Sequence, residues 1–242
     1  MSILTDTIRK QFKEGDDIRD EDLTTPDTVQ RFDNILYGDD PEWNTMDLYI
    51  PKEEKEKLPI IISFHGGGWV YGDKERYQYY CMSLAERGFA VINFTYRLAP
   101  EFKHPAPLED MNQVAHWIMN HAKDYFLDTE HIYGVGDSAG AHLLVLYTSI
   151  LTNKEYASNY DFKVPEGFQF NALALNCGAY NITLETELTG ELMKEYLPNG
   201  GTEEEFKAIN PKQYIPSMLC DDSRRGLLSR RCAHNESSTD SS

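Results

Sequence analysis

The sequence predicts an α/β fold in which helices flank a mostly parallel sheet. Three observations carry the prediction: strand-length apolar runs, helical patterns between those runs, and a chain of 242 residues, long enough for one sizeable core. Strands that alternate with helices form parallel sheets with right-handed crossovers.

Two elements are predicted before the apolar runs begin. Residues 1–30 are polar, with helical spacing in "ILTDTIRKQF" (3–12) and a stop near Pro26, and they predict a helical segment packed on a larger body. "MDLYIP" (46–51) alternates between apolar and polar residues and ends at proline, a pattern typical of an outer strand.

Continuous apolar runs predict the remaining strands, because a strand buried on both faces of a parallel sheet needs no alternation. These runs are "LPIIISF" (58–64), "FAVINFTY" (89–96), "HIYGVGD" (131–137) and "FNALALNCGAY" (170–180). Two helices are predicted between them. "LEDMNQVAHWIMNHA" (108–122) repeats apolar residues at helical spacing, and "AHLLVLYTSIL" (141–151) is apolar nearly all round, which predicts a buried helix.

The composition argues against several classes of function. A formal net charge of −17 would repel phosphate, so we expect no nucleic-acid partner. No run of about 18 apolar residues occurs, so no membrane span is predicted. Charged residues interrupt the start of the chain before an apolar segment forms, which predicts no signal peptide and a cytoplasmic protein.

The cysteines predict no metal centre. Cys81, Cys177, Cys220 and Cys232 lie far apart, form no C-x-x-C pair and show no zinc-ligand spacing. We therefore expect reduced structural thiols, as in a cytoplasm.

A serine between two glycines is the first candidate for chemistry. "YGVGDSAGAHL" (133–143) places Ser138 between Gly136 and Gly140, where a predicted strand gives way to a helix. A nucleophile on so tight a turn takes strained dihedrals, and side chains at the two glycine positions would clash with adjoining backbone. The N–H of Ala139 at the helix start would face a developing oxyanion. A plain strand-to-helix glycine turn is the alternative.

A glycine-rich loop is the second candidate. In "SFHGGGWVYGD" (63–73), Gly66, Gly67 and Gly68 directly follow a predicted buried strand. Three glycines let consecutive N–H groups face one point, as an oxyanion hole for acyl transfer requires. A phosphate loop is disfavoured because G-x-x-x-x-G-K-[ST] is absent. A flexible loop remains the alternative.

Four segments together identify a family resemblance. "HGGGW", "YRLAPE" (96–101), "HPAPLED" (104–110) and "GDSAGAHL" (136–143) follow one another in the right order. Over roughly residues 46–180 the chain resembles the hormone-sensitive-lipase-like esterases of the α/β-hydrolase superfamily. The resemblance implies an α/β-hydrolase fold and a carboxylic-ester hydrolase that acts on short-chain acyl esters of small molecules without a cofactor.

The same resemblance assigns roles to residues and segments. Ser138 matches the nucleophile, His65 matches a residue that braces the loop without performing chemistry, and Asp137 has a supporting position in the turn. The positions that match the oxyanion donors are Gly67, Gly68 and Ala139. Residues 1–30, with a contribution from about 184–210, resemble the helical cap that shapes the acyl pocket; residues 31–219 would form the hydrolase core.

The acid and base of a catalytic triad are not evident in the sequence. In the family both follow the serine, and only His142 and His234 do so here. His142 falls within the predicted buried helix, pointing away from the serine. Asp222 and His234 remain as weak candidates, because the 11 positions between them cannot hold the helix and strand that the family places there.

The last residues differ from the rest of the chain. "DDSRRGLLSRRCAHNESSTDSS" (221–242) carries four of the ten arginines, and residues 220–242 predict a disordered tail. We hypothesise that the reading frame departs from the family near residue 219, by frameshift, truncation or design of the expressed chain. The sheet would then keep an unpaired apolar edge, which predicts a homodimer. A hydrolase-like protein that binds a small ligand and has lost its activity is the alternative to an esterase.

Overall fold

The computed structural model describes residues 2–53, 56–180, 182, 186–211 and 214. Within them a six-stranded sheet forms the centre of the molecule. Its strands are β1 (Val29–Leu36), β2 (Thr45–Pro51), β3 (Leu58–Phe64), β4 (Ala90–Phe94), β5 (Leu127–Asp137) and β6 (Ala172–Asn176). The helices are α1 (Ile3–Asp20), α2 (Lys74–Ala85), α3 (Ala106–His121), α4 (Ala139–Thr152), α5 (Lys154–Ala157), α6 (Glu187–Tyr196) and α7 (Glu203–Ile209).

The sheet is mixed, with a parallel half formed by the strands that the continuous apolar runs predicted. Its order is β1-β2-β4-β3-β5-β6. The neighbours from β4 to β6 are parallel, whereas β1 and β2 run antiparallel. The mostly parallel α/β fold is therefore confirmed. The prediction of an outer strand at residues 46–51 is wrong, because β1 pairs with β2 and covers the edge that β2 would otherwise expose.

Helices cover both faces of the sheet, as the strand periodicity requires. Successive strand residues point to opposite faces, and Tyr49 and Val91 pack with α2 while Leu48 and Ile92 join the larger core on the other face. The latter core contains α3 and α4, and every residue of α4 from Ala139 to Ile150 is buried. Both helices predicted from apolar spacing are confirmed.

The parallel strands bring the two glycine motifs to one edge. Strands β3, β5 and β6 end at Phe64, Asp137 and Asn176, and the carboxyl ends of parallel strands share one side of a sheet. The loop 65–73 follows β3, and the turn at Ser138 follows β5. Among the described residues no helix is both long and apolar enough to cross a membrane.

Candidate active site

Ser138 lies on a sharp turn between β5 and α4. Its φ is 49° and its ψ is −117°, outside the regions that side-chain-bearing residues favour. The Ser138 N–H donates a 2.9 Å hydrogen bond to the carbonyl oxygen of Asn176 at the end of β6. The residue is exposed. The turn therefore presents the hydroxyl-bearing residue at the open edge of the sheet.

The two glycines beside Ser138 are required by close backbone contacts. A Cβ on Gly136 would lie 2.8 Å from the nitrogen of Ala141. A Cβ on Gly140 would lie 2.5 Å from the carbonyl oxygen of His65 and would also clash with that of Phe64. These approaches confirm the predicted clash at both positions. They also show that the first turn of α4 packs directly on the end of β3.

The loop after β3 offers unpaired backbone donors next to this turn. Gly67 and Gly68 have positive φ values of 123° and 62°, and a Cβ on Gly67 would clash with the carbonyl oxygen of Tyr71. Among the described residues, no acceptor pairs with the N–H of Gly67, Gly68 or Ala139. Gly67 and Ser138 line the same cavity, of about 450 Å³. The N–H of Gly67 is thus available to a ligand in that cavity, and those of Gly68 and Ala139 belong to the residues that directly follow Gly67 and Ser138.

One tyrosine connects the loop to the turn. The Tyr77 hydroxyl donates to Asp137 Oδ1 at 2.8 Å and accepts from the Gly66 N–H at 2.9 Å. Burial raises the pKa of Asp137 above its usual value, and the hydrogen bond from Tyr77 opposes that rise. The sequence reasoning assigned no role to Tyr77, since no motif marks a residue that acts through a contact made in the fold.

His65 lies beneath the loop. Its ring stacks on Tyr96 with centroids 3.9 Å apart, and its Nδ1–H donates to the carbonyl oxygen of Gly66 at 2.9 Å. Burial lowers the pKa of His65 to about 4, so the ring is neutral near pH 7. The Tyr96 hydroxyl donates to the His65 carbonyl oxygen at 2.6 Å. These contacts fit a residue that braces the loop.

His142 is hydrogen-bonded at both ring nitrogens. The Trp69 indole N–H donates to His142 Nδ1 at 3.2 Å, and His142 Nε2–H donates to the carbonyl oxygen of Ile209 at 2.6 Å. The ring is fully buried, and burial lowers its pKa to about 4. His142 therefore has no free nitrogen to take a proton from Ser138, in agreement with its predicted position.

The other described histidines bond elsewhere. His116 and His121 are exposed on α3. The partners are Tyr196 for His104, Lys163 for His116, Asp124 for His121 and Asp128 for His131. No described histidine is hydrogen-bonded to Ser138. Asp222 and His234, and with them the predicted tail 220–242, lie outside the described residues. Among those that are described, no cluster of histidine, cysteine, aspartate or glutamate fits a metal ion.

Helix α1 covers the cavity that contains Ser138. Gln11, Phe12, Gly15 and Asp16 line it from this helix. The Phe12 ring meets Tyr71 edge to face at 5.7 Å, and the Tyr71 hydroxyl donates to Asp16 Oδ2 at 2.8 Å. The helix therefore forms the wall of the cavity opposite the glycine loop.

An arginine on α1 anchors the helix to main-chain oxygens. Arg9 donates to the carbonyl oxygens of Val70 at 2.7 Å and Ala99 at 3.0 Å, and to both carboxylate oxygens of Glu101. The hydrogen bond to Glu101 raises the pKa of Arg9 above its usual value. Arg9 thus ties α1 to the loops that follow β3 and β4.

Helix α6 approaches the glycine loop from another side. Its Leu192 side chain would lie 3.7 Å from a Cβ on Gly68, and its Tyr196 ring stacks on Trp69 at 5.2 Å. Lys103 donates to the carbonyl oxygens of Lys194 and Leu197 at 2.9 and 3.0 Å, which fixes the end of the helix. Segments from both ends of the described chain therefore enclose the loop.

Comparisons with known proteins show that the chain is similar to ester hydrolases. Over 97 residues it is 38% identical to the versiconal hemiacetal acetate esterase of Dothistroma septosporum, covering 40% of this chain and 30% of that protein. Over 157 residues it is 29% identical to the ethyl acetate hydrolase of Pseudomonas putida, covering 63% of this chain and 49% of that protein. The chain thus spans less than half the length of these two relatives.

A solved structure shows the same fold. Esterase B from Lactobacillus rhamnosis, crystallised with a tributyrin phosphonate inhibitor, aligns with a TM-score of 0.79 and 26% identity, over 87% of this chain and 70% of that one. The BD-FAE family model matches residues 46–218, which include the whole parallel half of the sheet and both glycine motifs. The chain accordingly belongs to the BD-FAE family and, as its motifs predicted, to the hormone-sensitive-lipase-like branch of the α/β hydrolases.

Proposed function

We propose that this protein is a carboxylic-ester hydrolase that acts on short-chain acyl esters through Ser138. One observation carries the proposal: a strained serine and a glycine-loop residue with an unpaired N–H, Gly67, line the same cavity. The names of the two relatives, an acetate esterase and an ethyl acetate hydrolase, favour small acyl groups. A cavity of about 450 Å³ has room for a substrate of that size.

The geometry supports an acyl-enzyme mechanism. The Ser138 hydroxyl oxygen attacks the ester carbonyl, and the N–H groups of Gly67, Gly68 and Ala139 stabilise the oxyanion that forms, each by about 3 kcal/mol in the transition state. The alcohol then leaves, and water releases the acid from the acylated serine. His65 and Asp137 hold the loop and the turn. Residues 1–30 and about 184–210 form the cap over the acyl pocket.

The proton acceptor of this reaction is proposed from chain order. A serine nucleophile needs a base and a carboxylate that orients it. Each described histidine has its own partner away from Ser138, which leaves Asp222 and His234 as weak candidates: both follow the serine, but the stretch from one to the other is too short for the helix and strand that the family places there.

A second candidate function rests on the same histidines. A site with its oxyanion donors in place but no base keeps only the residual catalysis of binding and oxyanion stabilisation, about 10³–10⁴-fold over water. Such a protein would bind a small ester or acid in the cavity rather than turn it over.

Labelling and turnover separate the two candidates. Purified protein is treated with a fluorophosphonate probe and assayed with p-nitrophenyl acetate, alongside Ser138→Ala. An esterase labels and turns over, and both signals vanish in the variant. A binding protein stays folded, shows no labelling above the variant and still binds short-chain esters in calorimetry. His234→Gln loses turnover if His234 is the base, whereas the exposed-site control His116→Gln retains it.

We also propose a homodimer that pairs through β6. Within the described part of the chain, β6 pairs only with β5, so its outer edge keeps unsatisfied backbone groups. Light scattering after size-exclusion chromatography should give twice the chain mass. A monomer at high concentration contradicts this pairing.

The proposed location is the cytoplasm. Cys81 is a buried free thiol and Cys177 an exposed one, and an exposed free thiol persists in a reducing compartment. Lysis in the presence of an alkylating reagent, followed by mass spectrometry of the peptides, should find Cys177 alkylated and therefore reduced in the cell. An oxidised Cys177 in the cell contradicts the assignment.

A further inference from the structure

A buried histidine lies one turn beyond Ser138 and joins two parts of the candidate site. His142, on α4, accepts from the Trp69 indole and donates to the carbonyl oxygen of Ile209, the last residue of α7. Trp69 directly follows Gly68 and itself has a positive φ of 63°. His142 therefore connects the glycine loop to the region that covers it.

We propose that His142 is a positioning residue that fixes the N–H groups of Gly67 and Gly68 by holding the Trp69 side chain. The proposal rests on the proposed esterase function, since it concerns the donors that would stabilise the oxyanion. It assigns His142 no proton transfer, because both of its ring nitrogens are occupied.

Trp69 makes three contacts with other parts of the fold. Because it lies in the loop 65–73 directly after Gly68, these contacts also fix the backbone of that loop. Its indole N–H bonds to His142, and its ring stacks on Tyr196 with centroids 5.2 Å apart and planes 23° apart. Its carbonyl oxygen accepts from the Ala99 N–H at 2.9 Å. Of these contacts the indole hydrogen bond is the directional one for the side chain. Its loss would free the ring to slide on Tyr196 and shift the adjacent Gly68.

The contact with Ile209 selects the tautomer that Trp69 needs. A carbonyl oxygen only accepts, so His142 carries its proton on Nε2, and Nδ1 is left to accept from the indole. Protonation would set two donors against each other at the Trp69 contact. The lowered pKa of about 4 is consistent with a neutral ring.

Ile209 is itself fixed by its neighbour. Asn210 accepts from the Ile182 N–H at 2.8 Å and donates to the Ile182 carbonyl oxygen at 3.2 Å. The carbonyl oxygen that orients His142 therefore belongs to a hydrogen-bonded segment. The chain from Asn210 through His142 to Trp69 is continuous.

Two substitutions at position 142 separate its two hydrogen bonds. In His142→Asn the amide oxygen takes the place of Nδ1 and keeps the bond to Trp69. In His142→Gln the amide reaches the place of Nε2 and keeps the bond to Ile209. We expect His142→Asn to retain kcat within about threefold and His142→Gln to lose about tenfold in kcat at nearly constant KM, because displaced oxyanion donors act on the transition state.

A variant at Trp69 and an NMR measurement also test the hydrogen bond between Trp69 and His142, so the test does not rely on turnover alone. Trp69→Phe keeps a ring that can stack on Tyr196 but removes the indole donor, so its kcat should fall about as far as that of His142→Gln. The double variant that combines Trp69→Phe with His142→Gln should show no further loss of kcat. The indole ¹H–¹⁵N resonance of Trp69, assigned by its absence in Trp69→Phe, should stay in place in His142→Asn and move upfield in His142→Gln.

The outcomes separate this inference from the proposed function. An active wild type in which His142→Gln matches His142→Asn in kcat overturns the positioning role and leaves the esterase intact. A wild type that neither labels nor turns over overturns the esterase. In that case, if the Trp69 indole resonance does not move in His142→Gln, the proposed hydrogen bond between Trp69 and His142 is also overturned. If His142→Gln does not fold, Trp69→Phe decides, and wild-type kcat in that variant overturns the inference.

Discussion

At Ser138 the backbone adopts a conformation that costs about 1–3 kcal/mol for a residue with a side chain. The surrounding contacts offset this cost. The Ser138 N–H bonds to Asn176, and the contacts of Gly136 and Gly140 let α4 pack against the ends of the strands. The strained residue is therefore held by three elements at once.

Gly140→Ala tests this packing. Its Cβ would meet the carbonyl oxygens of Phe64 and His65, so the end of β3 and the glycine loop must move. We expect kcat/KM with p-nitrophenyl acetate to fall about 100-fold, as displacements near 1 Å cause, and the free energy of unfolding to fall by about 1–3 kcal/mol.

Gly15→Ala is the stability control for that substitution. Nothing lies within 4 Å of a Cβ at Gly15 in α1, so this variant should match or exceed wild-type stability by up to about 1 kcal/mol. Wild-type activity in Gly140→Ala would contradict the tight contact between α4 and β3.

The candidate site was predicted only as far as local motifs reach. Ser138 and the glycines of both motifs stand out because their spacing alone implies a turn that excludes side chains. Tyr77 and the contact between Trp69 and His142 depend on residues that are distant in sequence and meet only after folding. Single side chains of these types occur in any core, and the sequence marks none of them.

At the scale of elements, the docking of α1 is mostly polar. Arg9 contributes bonds to two carbonyl oxygens and one carboxylate, and Arg19 donates to the carbonyl oxygen of Arg76. Ile3 and Ile18 remain largely exposed. The helix therefore depends on directional bonds more than on apolar burial to stay over the cavity.

Arg9→Met should loosen this docking. The substitution keeps an apolar stem and removes bonds that, at a partly exposed site, are worth about 1 kcal/mol. We expect chymotrypsin to cleave after Phe12 about fivefold faster, in line with that free energy. KM should rise while kcat changes less. Lys10→Met, which removes an exposed lysine 4.0 Å from Glu14, is the matched control and should behave as wild type.

Strand β1 and helix α2 were not predicted, because neither has a clear hydrophobic pattern in its sequence. Strand β1 is mostly half-buried or exposed, and its polar sequence "VQRFDNIL" lacks a regular alternation. Helix α2 has a sequence of large polar and aromatic residues, and four of its side chains are buried. Strands β3 and β4 are covered on both faces, which requires the continuous apolar runs that predicted them. In β6, Ala172, Ala174 and Asn176 are exposed, so the predicted burial on both faces is wrong for this strand.

At the scale of the whole molecule, burial shifts the pKa of several groups that titrate between pH 6.5 and pH 4. His65 and His142 are almost fully buried, and each pKa is lowered to about 4, against about 6.5 in an unfolded chain; that of His104 is lowered to about 3. As the pH falls below 6.5 the unfolded chain binds protons at these histidines that the folded chain does not, so their contribution to stability is complete above pH 6.5 and is lost progressively toward pH 4. Burial raises the pKa of Asp110 to about 6, so this carboxyl binds a proton first in the folded chain and offsets one of the three histidines.

The free energy of unfolding should consequently fall between pH 6.5 and pH 4. A net difference of about two protons, three at the histidines less one at Asp110, brings a slope of up to about 3 kcal/mol per pH unit. Urea titrations at intervals of half a pH unit measure it. His142→Asn should reduce the slope by about half, whereas His116→Gln, at an exposed position, should leave it unchanged. A flat profile in the wild type would contradict the neutral state of both rings.

Arg9 holds two oxygens that belong to different loops, Val70 after β3 and Ala99 after β4. A single guanidinium can donate hydrogen bonds to both oxygens only when the distance between the two loops is kept. A change in this spacing would break one of the two hydrogen bonds, and α1 would then be held less firmly over the cavity. The position of the helix that covers Ser138 is in this way coupled to the conformation of both loops.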